Sequence, residues 1–246
     1  MPAKTWTLYL TILLMCCVRV ACAEMPDDES DISGTIRLDD FVYVEEEEPA
    51  PYLKLVTKTE DVAAFKFIEI RSTIDSKYNV GVIVDKRLKD YAIVEITGPA
   101  GSEGNYYAAV EGETLVLESC NPFQYTIAFK ITVGEFHGVK LSGDNTMTIE
   151  NLYSETLNVS MDQQSHLFLN GSVNKCSFDI SGDSILDSRE LQCGSIEISC
   201  KSSSIATVNP FDTLKAVSYG TCEIYYVNQP KIIKKEIKSF GFISYR

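Results

Sequence analysis

A chain of 246 residues is long enough to bury one large or two small hydrophobic cores. At 45% hydrophobic and 23% charged it is neither fibrous nor wholly disordered, and its wealth of β-branched and aromatic residues favours strands over helices. A formal net charge of −13 disfavours nucleic acid as a partner.

The first 23 residues have the layout of a secretory signal. Lys4 lies in a short basic start, an apolar run follows at 8–18, and Ala21-Cys22-Ala23 supplies small residues for cleavage after Ala23. A membrane anchor would need roughly 20 apolar residues, and Arg19 interrupts the run before that length. A lipoprotein, lipidated at Cys22, is the alternative, which Arg19 disfavours. Removing the segment takes Lys4 and Arg19 away, so the 22 basic residues fall to 20 against 35 acidic ones, a net charge of −15. Much of that charge sits in residues 24–49, including Glu45 to Glu48, with Arg37 as the one cation. The run lacks the ligand spacing and turn glycine of a calcium loop, so it reads as a solvated acidic tether, disordered by composition.

From there the chain alternates apolar and polar residues as half-buried strands do. In the irregular stretch 50–134 the segments are 52–56, 65–70, 80–84, 91–96, 114–117 and 125–133, with a loop at 98–102. No long amphipathic helix is readable. From 135 to 246 an aliphatic residue followed by a small or polar one recurs at Leu141-Ser142-Gly143, Val159-Ser160, Ile180-Ser181-Gly182, Ile198-Ser199-Cys200, Val217-Ser218 and Ile237-Lys238. The intervals are 18, 21, 18, 19 and 20 residues. Repetition near 20 residues is the mark of a solenoid, whose stacked repeats share one core. Such a coil accommodates about three short strands with tight corners where Ser-Gly can turn. An antiparallel sandwich would explain the strand content but not the returning token.

Five cysteines remain after residue 23: Cys120, Cys176, Cys193, Cys200 and Cys222. An odd number cannot all pair, and neither a Cys-x-x-Cys nor a His spacing suggests zinc or redox chemistry. They are expected to serve mainly as small buried apolar residues, with the bridging pattern open.

The run Phe65-Lys-Phe-Ile-Glu-Ile70, then Val80-Gly-Val-Ile-Val84, Glu111-Gly-Glu-Thr-Leu-Val-Leu117, the Leu141-Ser-Gly143 and Ile180-Ser-Gly182 corners and the closing Pro230-Lys-Ile-Ile-Lys-Lys-Glu-Ile237 resemble the bacterial head-GIN-domain proteins, named putative auto-transporter adhesins. The resemblance covers residues 50–246. It implies a right-handed single-stranded parallel β-helix exported to the cell envelope of Bacteroides-like bacteria. It brings no catalytic residues with it. Cys200 stands where the family usually has Gly, and Lys238-Ser239-Phe240-Gly241 replaces the last token, so the final coils are expected to be less regular. No segment after Arg246 could form a membrane-inserted barrel, so self-secretion is not expected.

Parallel β-helices include polysaccharide lyases and hydrolases, so the acidic faces need inspection. Asp183, Asp187, Arg189 and Glu190, with Asp179 nearby, are the best local cluster, and an ordinary charged outer face is the reading preferred for them. Coils of 18–21 residues leave no room for cleft-building loops. Gly-x-Ser-x-Gly is absent, and neither His137 nor His166 has an identifiable partner. No catalytic, cofactor-binding or metal residue is therefore assigned, and no cofactor is expected. Tyr106, Tyr107, Tyr219, Tyr225, Tyr226 and Tyr245 could stack on sugars or cap the solenoid. Asn158-Val-Ser160 and Asn170-Gly-Ser172 match the glycosylation sequon, read as coincidence in a bacterium.

The expected function is an exported, non-enzymatic envelope or surface solenoid in the periplasm, on the outer membrane or secreted, which binds a glycan or protein partner. A polysaccharide lyase or hydrolase is the alternative. An uncapped β-helix end offers unpaired backbone groups, but Lys231, Lys234, Lys235 and Lys238 argue against open-ended stacking, so a monomer or small oligomer is expected.

Overall fold

In the computed structural model, residues 54–71, 76–120 and 125–246 are described. The signal, Cys22, the acidic run 24–49 and Tyr52 lie outside them. The described residues form strands and turns without a helix, in the order β1 (Leu55–Ala63), β2 (Phe67–Arg71), β3 (Lys77–Val84), β4 (Tyr91–Pro99), β5 (Tyr106–Glu111), β6 (Thr114–Ser119), β7 (Thr126–Val133), β8 (Gly138–Ser142), β9 (Thr146–Met161), β10 (His166–Ile180), β11 (Ile185–Cys200), β12 (Ile205–Ser218), β13 (Glu223–Tyr226), β14 (Ile232–Ile237) and β15 (Phe242–Tyr245). The expected loop at 98–102 begins two residues late, because Gly98 and Pro99 still pair with β1. β5 was not legible as a separate strand.

The fold is the parallel β-solenoid expected from the repeat. Its regular part is a ladder of long strands, β9 to β12, each bent in mid-strand and laid in parallel on the next. Inward residues alternate with outward ones along each strand, and the inward set of Leu157, Cys176, Ile196 and Leu214 stacks in a continuous core. The ladder registers Leu141, Met161, Ile180, Cys200, Ser218 and Ile237 as one column. The tokens at Val159 and Ile198 therefore sit two residues before their true equivalents, on the same inward face. Cys200 does not replace a corner glycine, since the residue equivalent to Gly182 is Ser202.

The corner itself is a column of left-handed backbone at Gly143, Gln163, Gly182, Ser202 and Gly220. Two residues later the chain turns inward with Asn145, Ser165, Ser184, Ser204 and Cys222, all at most 1% exposed. The serine hydroxyls donate to corner carbonyls: Ser165 to Asp162 at 2.6 Å, Ser184 to Ser181 at 2.7 Å and Ser204 to Lys201 at 2.9 Å. Ser165 and Ser204 also reach back to Gly143 and Gly182 of the preceding coil, both at 3.1 Å. A small polar residue is needed here because the sharp corner leaves carbonyls pointing inward that only a short donor can satisfy. The final coils keep their register, β14 with β12 and β15 with β13, but their strands break into pieces of four to six residues where β9 to β12 run 14 to 16. Register shifts fall earlier, between Phe168 and Gly171 in β10 and between Ser188 and Ser195 in β11.

The N-terminal part departs from sequential stacking. β2 and β3 make one coil, yet β2 lies between β6 and β8, and β3 lies between β7 and β9. The coil of β6 and β7, later in sequence, thus stacks on the outer side of the first, and the chain then crosses over it to begin β8. At the crossing a Cβ on Gly134 would fall 1.6 Å from the Leu88 carbonyl oxygen, so only glycine permits the passage. Antiparallel β4 and β1 cover β7, and antiparallel β5 covers β6, so that β1 and β5 are the edge strands of this end.

Two disulfides staple the C-terminal coils, Cys176 to Cys193 and Cys200 to Cys222, with Cα atoms 6.5 and 6.0 Å apart. These four cysteines are buried, as expected, and the bridging that the sequence left open pairs them. Cys120 remains free and exposed.

Candidate functional site

A groove of about 550 Å³ runs along the first limbs of β9, β10 and β11. Alternation directs Phe168, Asn170 and Asp187 outward from adjacent rungs, while Leu167, Leu169 and Leu186 point into the core. Phe168 leaves 40% of its surface exposed. The parallel register sets it beside Thr148 on one side and Asp187 on the other.

Polar groups frame the ring. Arg189 grips Asp187 with two contacts, from Nε to Oδ1 at 2.9 Å and from an Nη to Oδ2 at 2.8 Å. That carboxylate raises the guanidinium pKa further above its ordinary value. Asn170 Nδ2 donates to Glu190 at 3.1 Å, and Asn209 Nδ2 donates to the Arg189 carbonyl at 2.9 Å. Glu150 and Asn151 line the remaining wall, Asn151 with φ of +58° at the bend of β9.

Of the acidic cluster singled out in the sequence, Asp187, Arg189 and Glu190 share this groove. Asp179 does not; it lies on the second limb of β10, where Lys201 pairs with it at 2.9 Å. Asp183 stands at a corner, outside the groove lining. Sequence reasoning missed Phe168 because an outward phenylalanine in a strand looks like one more core residue until the register is known.

The tyrosines do not share one face. Tyr106 packs edge-on to Phe129 near the N-terminal end. Tyr225 packs on Phe242 and Tyr226 on Tyr245 at the C-terminal end, where Lys238 lies over the Tyr219 ring. A second concavity holds Lys86 over the Tyr153 ring at 3.2 Å, Lys66 between Glu113 and Glu135, and His137 Nε2 at 2.8 Å from Glu135. His137 thereby gains the partner that could not be read from sequence, and it holds the Glu135 carboxyl below its usual range. No helix among the described residues is long and apolar enough to cross a membrane.

The family described as "Putative auto-transporter adhesin, head GIN domain" matches residues 72–230. The chain belongs to this head GIN domain family. Its fold is also that of a structure described as a putative adhesin from Bacteroides fragilis NCTC 9343, at 21% identity, over 80% of this chain and 99% of that one, with a TM-score of 0.58. More distant are a structure described as a putative lipid binding protein from Parabacteroides distasonis ATCC 8503 (16% identity, 78% and 96% covered, TM-score 0.46) and a putative adhesin from Parabacteroides merdae ATCC 43184 (15%, 78% and 96%, 0.42). No curated protein matches the chain. Membership of the head GIN domain family makes this an adhesin-type protein by name; a partner does not come with it.

Proposed function

We propose that this head GIN domain protein is an exported, non-enzymatic surface solenoid that binds a glycan along the groove of β9 to β11. The observation that carries the reading is Phe168, an exposed ring flanked by Asn170, Asp187, Arg189 and Glu190. An apolar platform with planar hydrogen-bonding groups at its rim suits a pyranose, which offers an apolar C–H face and a hydroxyl edge. Export is supported by the signal layout and by the two disulfides, which persist in oxidising compartments.

A lyase or hydrolase would draw on the same Asp187, Arg189 and Glu190. Both Asp187 oxygens are engaged by Arg189 and Glu190 is held by Asn170, an arrangement that suits a fixed hydrogen-bonding rim better than a mobile acid–base pair.

The test is the melting temperature of residues 24–246 against envelope, mucin and plant polysaccharides, because a ligand of the folded state raises it with saturation. One polymer is expected to shift the wild type and not Phe168→Ala, whose own melting temperature should match the wild type. A panel without any shift, or a shift retained by Phe168→Ala, refutes the reading. Release of shorter products from the bound polymer would replace it with the enzyme.

A further inference from the structure

The two ends of the solenoid are finished differently. Antiparallel strands finish the N-terminal end, where β1 pairs only with β4 and β5 only with β6; at the C-terminal end the parallel strand β14 pairs only with β12, and β15 only with β13. Among the described residues nothing pairs with their outer edges. All six residues of β14 are exposed, and Ile232, Ile233 and Ile237 keep 52%, 42% and 50% of their surface, with Phe240 at 92% nearby. A row of unpaired backbone donors and acceptors beside apolar side chains fits an added strand, so the occupant is a polypeptide.

Charge narrows the choice. Lys231 and Lys238 have carboxylate partners in Asp212 and Glu236. Lys234 has no ion pair among the described residues, Lys235 donates to the Tyr226 hydroxyl at 2.8 Å and the Ile243 carbonyl at 3.3 Å, and Arg246 stacks on Tyr225. Lys234, Lys235 and Arg246 are therefore three cations of this edge not paired with a carboxylate among the described residues, which repel a second copy of the same end and attract an acidic strand. The chain contains such a segment in Phe41-Val42-Tyr43-Val44, four residues of high strand propensity, followed directly by Glu45 to Glu48.

We infer that the β14 and β15 edge receives residues 41–48 of a second copy, joining molecules head to tail by strand addition. A contact within one chain is excluded by reach. Nine strand spacings of about 4.8 Å put roughly 43 Å between β1 and β15. Six residues lead from Glu48 to Lys54, just before β1, and span at most about 22 Å when fully extended. The lysines that argue against like-with-like stacking thus select the partner. This inference is independent of the glycan groove, which lies on another part of the ladder.

Sedimentation of residues 24–246 over a range of protein concentrations tests it. The wild type is expected to associate, less so at high salt. Lys234→Glu/Lys235→Glu and Glu46→Lys/Glu47→Lys should each weaken association by roughly a hundredfold while their far-ultraviolet circular dichroism stays that of the folded wild type. Mixing the two variants should restore association, since each then offers the edge that matches the other's segment. A wild type that stays monomeric throughout, or variants whose mixture does not associate, overturns the inference. Loss of association in the lysine variant alone would mean that a different acidic strand occupies the edge, and overturns it as well.

Discussion

Gly182→Ala and Gly112→Ala form a controlled pair for testing what the corners of the solenoid require. Both glycines have left-handed backbone, at φ of +76° and +63°, so an alanine at either costs about 1–2 kcal/mol from the conformation alone. Gly112 is the first turn residue of the β5–β6 hairpin, where Glu111 pairs with Thr114 and an added Cβ meets nothing within 4 Å. At Gly182 the same atom would lie 2.4 Å from the Gln163 carbonyl oxygen and 2.6 Å from its nitrogen, both in the coil stacked before it. Backbone cannot swing aside as a side-chain tip can, so the coils must separate locally, which adds about 1–3 kcal/mol of overpacking strain. The expected totals are about 1–2 kcal/mol at Gly112 and about 2–5 kcal/mol at Gly182. At about 2–4 °C per kcal/mol, these are losses of roughly 2–8 °C and 4–20 °C in melting temperature. The single tryptophan is Trp6, so the unfolding of residues 24–246 is best followed by far-ultraviolet circular dichroism or calorimetry. Equal losses at the two sites would refute the claim that coil spacing, rather than turn conformation, dictates glycine at position 182, which stacks on Gln163.

Further predictions concern the staples, the ladder and the charged face. Replacing Cys176 and Cys193, or Cys200 and Cys222, with serine should cost about 3 kcal/mol per bridge, given loops of 17 and 22 residues; thermal unfolding with and without reductant reads this, and a reductant-insensitive wild type would oppose it. Ser184→Ala should lose about 1–2 kcal/mol because the Ser181 carbonyl forfeits its donor at a part-buried corner, measured as a shift in the urea midpoint. Glu69, held by Arg71 at 2.6 Å and Lys140 at 2.9 Å, has its carboxyl pulled down to about 2. Since the folded pKa lies below the unfolded one, its stabilisation is present at neutral pH and fades from about pH 4.5 towards pH 2. Glu69→Gln should therefore be less stable than the wild type by under about 1 kcal/mol at pH 7, with the two converging in acid.

The regular coils were legible because period-two alternation and a recurring corner are both local signals. The same locality explains the slips. Val159 and Ile198 face inward like Met161 and Cys200 two residues on, so a short aliphatic-Ser token cannot distinguish neighbouring inward positions, whereas the buried ladder of Ser165, Ser184 and Ser204 can. Cysteine pairing was not legible because it depends on inter-coil register: Cys176 and Cys193 come together only once β10 and β11 are aligned. The groove was half legible. Asp187, Arg189 and Glu190 are close in sequence, but Phe168 and Asn170 join them from the preceding coil at a separation of about 20 residues.

The first coil shows why no periodicity could have found the N-terminal stack. β2 pairs with β8 across 71 residues, Ile70 opposite Leu141, and with β6 across 47 residues, Ile70 opposite Leu117. Neither interval is a multiple of the repeat, because the chain leaves the axis, makes the antiparallel cap and returns on the far side of its own first turn. That detour has a physical benefit. A solenoid built strictly in sequence would expose its first coil as an edge at one end, whereas here the first coil is enclosed on both sides, and the exposed strands β1 and β5 belong to antiparallel layers that can face solvent. The first coil is thereby enclosed by topology. The C-terminal end has no such detour: β14 and β15 simply continue the parallel ladder, so any protection of that edge must come from its lysines or from another strand.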